Sequence, residues 1–379
     1  MSLYDETIEK IETNRAIKES GKLLAIPFHR MPKLSTVLPG LRKGMYCILT
    51  SGTKEAKSQF TDFMFVYQPI EYLYEHPECG MDLHIKYFSL EMSKETKIVQ
   101  AMSYRLFTEY GIIISPLNLL SIFQGYTLDI EILDIIKSEP FKKFFEFFNS
   151  KVEIYDDIKS PTSIMVKCEN YARKNGEVIY DKVTWDDGSE HKIIKDYVPN
   201  NPDLIVQVIV DHATLLSEKG KTLYECIKML SSDYAIKLKN KYQYAFTLIQ
   251  QQSASATEQQ FTNRGDTVLE KVKPSREGLT GNRDSGQDCT LMLGIFSPYK
   301  YKEESYEGWD LTRLRDYHRE ISVLLNRDGR SNITEQVFFN GACSYFKELP
   351  LDAQPDVKQK IYNTIEGYRK EELKYTSNK

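Results

Sequence analysis

The stretch 83-LHIKYFSLEMSKET-96 decides how this chain is read. An apolar strand ends in a bare acidic residue, Glu91, and a helix start follows at Ser93. A carboxylate at the carboxyl end of a strand sits where open α/β sheets bind their ligands. Upstream, 44-GMYCILTSGTKEAKSQF-60 reads as a strand, a loop and a helix opening on Lys57 and Ser58. Downstream, 204-LIVQVIVD-211 is a continuous apolar run closing on Asp211. A loop lysine with a hydroxyl beside it, a strand-end aspartate and a strand-end glutamate are the parts of a nucleoside triphosphatase.

Strand and helix signals alternate on either side of that stretch. Strands are expected at 45–50, 84–90, 151–156, 204–211, 243–250 and 289–296, with helices at 57–74, 93–110, 127–149 (broken at Pro140), 160–176 and 220–240. Such alternation predicts an α/β fold with a mostly parallel sheet flanked by helices on both faces. Three late strands, 319–325, 334–339 and 343–346, predict an antiparallel edge turning through 340-NGA-342. Residues 177–203 contain Asp187-Gly188 between two β-like runs and read as an inserted hairpin. The polar stretch 252–286 is too long for an ordinary connector, so it is functional or disordered. Residues 1–30 read as an N-terminal helical arm, its helix over 4–23 bearing only a sparse apolar stripe. The folded domain spans 31–350, and 351–379 is expected to be a charged, peripheral helical tail.

With 41% hydrophobic and 12% aromatic residues among 379, the chain can bury a large core. A net charge of −4 carries no global nucleic-acid signal, although a ring needs positive charge only on its channel loops. The six cysteines are scattered, which predicts buried free thiols in a reducing compartment. The six histidines show no metal-ligand spacing, so zinc is not expected. With no apolar run of membrane-spanning length, the expectation is a soluble, cytoplasmic protein with no membrane partner.

A phosphate loop of the type GxxxxGK[ST] uses glycines so that backbone N–H groups can curl around phosphate oxygens. The aligned octet is Ser51, Gly52, Thr53, Lys54, Glu55, Ala56, Lys57 and Ser58. Ser51 and Ala56 stand where glycines are usual, so the octet alone would miss the pattern. Its context, a strand before and a helix N-terminus after, favours phosphate. Lys57 would then bind the β/γ-phosphates and Ser58 would ligate Mg²⁺. Asp211 fits the carboxylate behind that ion, Glu91 a group that activates water, and a glutamine among 250–252 a γ-phosphate sensor. Read singly, Asp211 is equally a turn residue, and Glu91 a helix-N-terminal acid favoured by the dipole. Arg327, on the turn 326-NRDGR-330 at the far edge of the sheet in sequence order, could reach a neighbouring subunit's phosphate.

The order of these motifs resembles the RecA-fold ATPase domain of DnaB-type replicative helicases, phage-like members in particular. The family's FSLEM segment is matched by Phe88 to Met92, its strand-end aspartate by Asp211 in VIVDHATLL, and its SQ pair by Gln250-Gln251. Its EQDAD segment is similar to 286-GQDCTLMLGIF-296, its KQRNG turn to 325-LNRDG-329, and its closing FxGxxxxF to Phe339, Gly341 and Phe346. The likeness runs from about Lys33 to Pro350. Leu325 replaces the lysine of the arginine turn, and too little chain precedes Gly44 for the family's separate N-terminal domain.

The resemblance implies a RecA-like fold, ATP with Mg²⁺, catalytic roles for Glu91, Gln251 and Arg327, and a hexamer acting on single-stranded DNA. Arg264, Lys271, Lys273, Arg276 and Arg283 in the long polar stretch are the candidate DNA contacts. A primase or a helicase loader is a candidate partner. Ser51, Ala56 and Leu325 argue for a rival: a degenerate scaffold or loading factor with weak or no ATPase activity. A RecA-like recombinase is disfavoured by the FSLEM segment and the arginine turn.

Overall fold

A computed structural model describes residues 2–259, 268–351 and 353–374. Thirteen strands follow in chain order: β1 Tyr46–Ser51, β2 Asp82–Ser89, β3 Val152–Tyr155, β4 Gly176–Thr184, β5 Glu190–Pro199, β6 Leu204–Asp211 and β7 Ala245–Gln251, then β8 Leu291–Phe296, β9 Ser305–Tyr306, β10 Trp309–Asp310, β11 His318–Asn326, β12 Ile333–Asn340 and β13 Tyr345–Glu348. Nine of them form one sheet in the order β13-β12-β11-β8-β1-β7-β6-β2-β3. The six from β8 to β3 run parallel. The last three are antiparallel, as the sequence predicts.

Every residue of β1 is buried, because both faces of the sheet are covered. The two-residue period of the strand splits its side chains between two cores. Cys47 and Leu49 join Phe60, Phe63 and Phe65 from the helical segment 57–75, together with Tyr104 and Phe144. Tyr46 and Ile48 pack on the other face with Ile164, Leu230 and Leu238. Helix starts lie where capping residues put them: Ser93, Ser160 and Thr222 each accept a backbone N–H from three residues on. Two helices contain wider π turns that periodicity does not reveal, at Phe63–Tyr67 and Met229–Ala235. The first lies just before Pro69, which has no N–H to offer the turn behind it.

β4 and β5 form a separate antiparallel ribbon through Asp187-Gly188, with Gly188 at φ 79° as the tight turn requires. The N-terminal helix Leu3–Glu19 buries none of its residues. The C-terminal helix Pro355–Lys374 is docked rather than peripheral. Tyr362 and Ile365 enter a third core with Trp309, Leu311 and Phe338, a short apolar stripe that the charged surroundings mask in the sequence. All six cysteines are free and buried. No helix among the described residues is long and apolar enough to cross a membrane.

Candidate functional site

Four adjacent strands, β1, β7, β6 and β2, deliver the predicted residues to one end of the sheet. Ser51 pairs with Gln251, and Ser89 with Asp211, so the strand ends lie level. This is the carboxyl end of the parallel strands, where α/β sheets open a crevice for ligands.

The loop 52–56 turns tightly between β1 and the helix opening at Lys57. Ala56 lies in the left-handed region at φ 74°, and Lys54 at φ 61°. A side chain there is strained by about 1–2 kcal/mol. Gly52 meets a different constraint, since a Cβ would lie 2.7 Å from Glu55 Oε1. The Lys57 ammonium folds over the loop, donating to Gly52 O at 2.7 Å and Ser51 Oγ at 3.3 Å. Burial pulls its pKa down to about 8, against the opposing pull of Glu55 and Asp211. Glu55 is itself buried, which raises its carboxyl pKa, while Lys300 opposes from 2.9 Å. The Lys300 ammonium also donates to Thr53 O at 3.1 Å, tying the loop to the turn after β8.

Ser58 donates its hydroxyl to Asp211 Oδ1 at 2.9 Å, although 153 residues separate the two. The other oxygen, Oδ2, accepts from Tyr87 at 3.0 Å and from Lys97 at 3.2 Å. Glu91 is half-exposed on the turn after β2, with Oε2 3.4 Å from His212 Nε2. His212 Nδ1 lies 2.7 Å from Thr214 Oγ1, and burial lowers the imidazole pKa. Gln250 and Gln252 are engaged by structure: Gln250 donates to Thr280 O and Asn282 O, and Gln252 to Thr50 Oγ1 and Ser275 O. Gln251, on the opposite face of the strand, has no side-chain hydrogen bond among the described residues.

Among the described residues no group of three or more His, Cys, Asp or Glu gathers to hold a metal. A Mg²⁺ carried largely by phosphates and water needs no such cage. The facing Ser58 hydroxyl and Asp211 carboxylate fit that requirement.

Arg327 is not brought to this end. β11 runs antiparallel to β8, pairing Asn326 with Leu291, whereas Ser51 pairs with Ile295. Four residues of strand, about 13 Å, therefore separate the arginine turn from the loop 52–56 of its own chain. The sheet's edges are β13 and β3, and the arginine turn lies on neither, so distance along the strands and not position at the edge keeps them apart. The exposed guanidinium donates to Gln287 O at 2.5 Å and Cys289 O at 3.1 Å.

Of the basic candidates, Lys271, Arg276 and Arg283 are exposed and have no side-chain partner among the described residues. Lys273 is engaged by Glu270 at 2.9 Å, with Glu320 3.8 Å away. Arg264 lies outside the described residues.

Sequence reasoning missed Lys97, Asp62, His212 and Lys300. Three of them left a trace: Asp62 follows Ser58 by one helical turn, His212 follows Asp211, and Lys97 is a lysine in line with buried Ala101 and Tyr104.

No protein-family model and no curated protein matches the chain. Among solved structures it is similar to the ATPase domain of G40P, with a TM-score of 0.62 and 15% identity, covering 92% of this chain and 99% of that one. It is also similar to a DnaB-like replicative helicase whose interactions with primase were studied, with a TM-score of 0.61 and 16% identity. That match covers 90% of this chain and 67% of the other. The chain has the RecA-like fold of a DnaB-type helicase ATPase domain.

Proposed function

We propose that the chain is an ATP-driven helicase or translocase on single-stranded DNA, assembled as a hexameric ring. The observation that carries this reading is the convergence of Lys57, Ser58, Gln251, Asp211 and Glu91 from four neighbouring strands at one sheet end. Lys57 would exchange the Gly52 carbonyl for β- and γ-phosphate oxygens. Ser58 and Asp211 would hold Mg²⁺, whose charge would offset that of the phosphates. Glu91, a half-exposed carboxylate, would take a proton from the attacking water. Gln251 would sense the γ-phosphate, and Arg327 would act on the site of the adjacent copy. Lys271, Arg276 and Arg283 are the available cations for DNA phosphates, with Arg264 beside them in sequence. Primase is a candidate partner, by analogy with the neighbour studied with its primase. The test is phosphate release from Mg·ATP with and without single-stranded DNA. Turnover that rises with DNA is expected, and its absence at saturating nucleotide rejects the reading.

Ala56 favours the second reading, a scaffold or loading factor with little turnover, because a methyl occupies a left-handed position beside the phosphate cradle. The substitution Ala56→Gly tests whether this loop wraps phosphate. Relief of the strained φ should stabilise the fold by about 1 kcal/mol. Removal of the methyl should also lower the Kd for ADP. Binding that weakens in Ala56→Gly would mean that this loop does not wrap phosphate.

A further inference from the structure

Lys97 stands near the start of the helix Lys94–Tyr110, shut off from solvent. Its ammonium lies 2.9 Å from Asp62 Oδ2, 2.7 Å from the Tyr87 hydroxyl and 3.2 Å from Asp211 Oδ2. Both carboxylates are buried as deeply as the lysine, and Asp62 Oδ1 has no partner among the described residues. Stability alone does not explain such a group, since apolar residues of similar volume commonly serve a core as well or better. Its geometry does suggest a purpose. Each donor to Asp211 comes from a different element: Tyr87 from β2, Lys97 from the helix after Glu91, and Ser58 from the helix after the phosphate loop. Two donors occupy Oδ2, and Oδ1 is left facing Ser58. A carboxylate gripped in this way cannot rotate about its own axis.

We propose that Lys97 is a positioning residue that locks the Asp211 carboxylate with Oδ1 presented to the Ser58 side, so that Mg²⁺ meets a preset oxygen. This rests on the nucleotide-site reading above. Groups that orient metal-site carboxylates from behind typically change metal affinity ten-fold or more when removed.

Lys97→Met alone would leave Asp62 and Asp211 uncompensated in the core and is expected to unfold at lower temperature, so it is not the informative variant. Asp62→Leu/Lys97→Met removes one acid and one cation together, so the net charge of the buried cluster is unchanged, and Asp211 keeps the hydroxyl donors Tyr87 and Ser58. The measurement, on the full chain, is binding of a fluorescent ADP across a Mg²⁺ titration and again in EDTA, with the melting temperature as a folding check. The Mg²⁺ concentration at half-effect should rise about ten-fold, with affinity in EDTA unchanged. A folded double variant with the wild-type Mg²⁺ half-point would reduce Lys97 to a structural ion pair. Tyr87→Phe removes the other donor to Oδ2 without touching a charge and should shift the half-point in the same direction by less. Should the double variant fail to fold, an unshifted half-point in Tyr87→Phe overturns the proposal. A wild-type protein whose ADP binding ignores Mg²⁺ would reject the nucleotide-site reading itself, and this inference with it.

Discussion

Glu91→Gln will bind nucleotide about as well as the wild type and lose turnover by a factor of about 10²–10⁴, the usual contribution of a general base. The amide keeps the shape of the carboxylate and removes only its ability to take a proton. Little in the fold depends on the charge, because Glu91 is half-exposed and its neighbour at 3.4 Å is the His212 imidazole. Stability should therefore not change. The two readouts are the Kd of a fluorescent ADP and single-turnover phosphate release, since a group acting only in the transition state lowers the second and spares the first. His212→Ala provides a comparison. Its imidazole stays largely neutral because burial lowers its pKa, so its part would be to orient Glu91. A smaller loss than in Glu91→Gln is expected. Turnover in Glu91→Gln equal to wild type would remove Glu91 from the mechanism.

Arg327→Ala should still bind nucleotide and lose hydrolysis by about 10³-fold or more, the scale seen when an arginine supplied across an interface is removed. The expectation follows from where the arginine is not. Its turn lies at the amino end of β8, and the loop 52–56 lies at the other end. If the two act together, the arginine would have to come from another copy. The guanidinium donates to two carbonyls of its own chain, Gln287 and Cys289, which would hold it ready at the surface. Mixing Arg327→Ala with Glu91→Gln protomers should restore part of the activity, because some interfaces in hybrid rings then carry both wild-type groups. Arg330→Ala, on the same exposed turn, should change little. A mixture that stays inactive while both variants assemble into rings defeats the shared-site model, and a protein that remains monomeric with ATP and DNA defeats it sooner.

The sequence by itself determined the elements and named most members of the candidate site. The apolar runs ending at Thr50, Leu90, Asp211 and Gln250 mark buried strands, and Ser93 and Ser160 mark helix starts, because burial and capping are read from neighbours along the chain. Since ligands gather at the carboxyl ends of parallel strands, the residues at and just after these runs are the candidates: Lys57, Glu91, Asp211 and one of the glutamines 250–252. Only the tertiary structure decided which of three consecutive glutamines is left free, since that depends on which face Ser275, Thr280 and Asn282 cover. It also decided that Lys97 and Asp62 stand behind Asp211, that Lys300 reaches Glu55, and that Glu320 comes within 3.8 Å of Lys273. These pairings join residues dozens to hundreds of positions apart. They exist because the chain returns to place β7 and β6 between β1 and β2, an order that local propensity does not encode and that is settled when both faces of the sheet are buried at once.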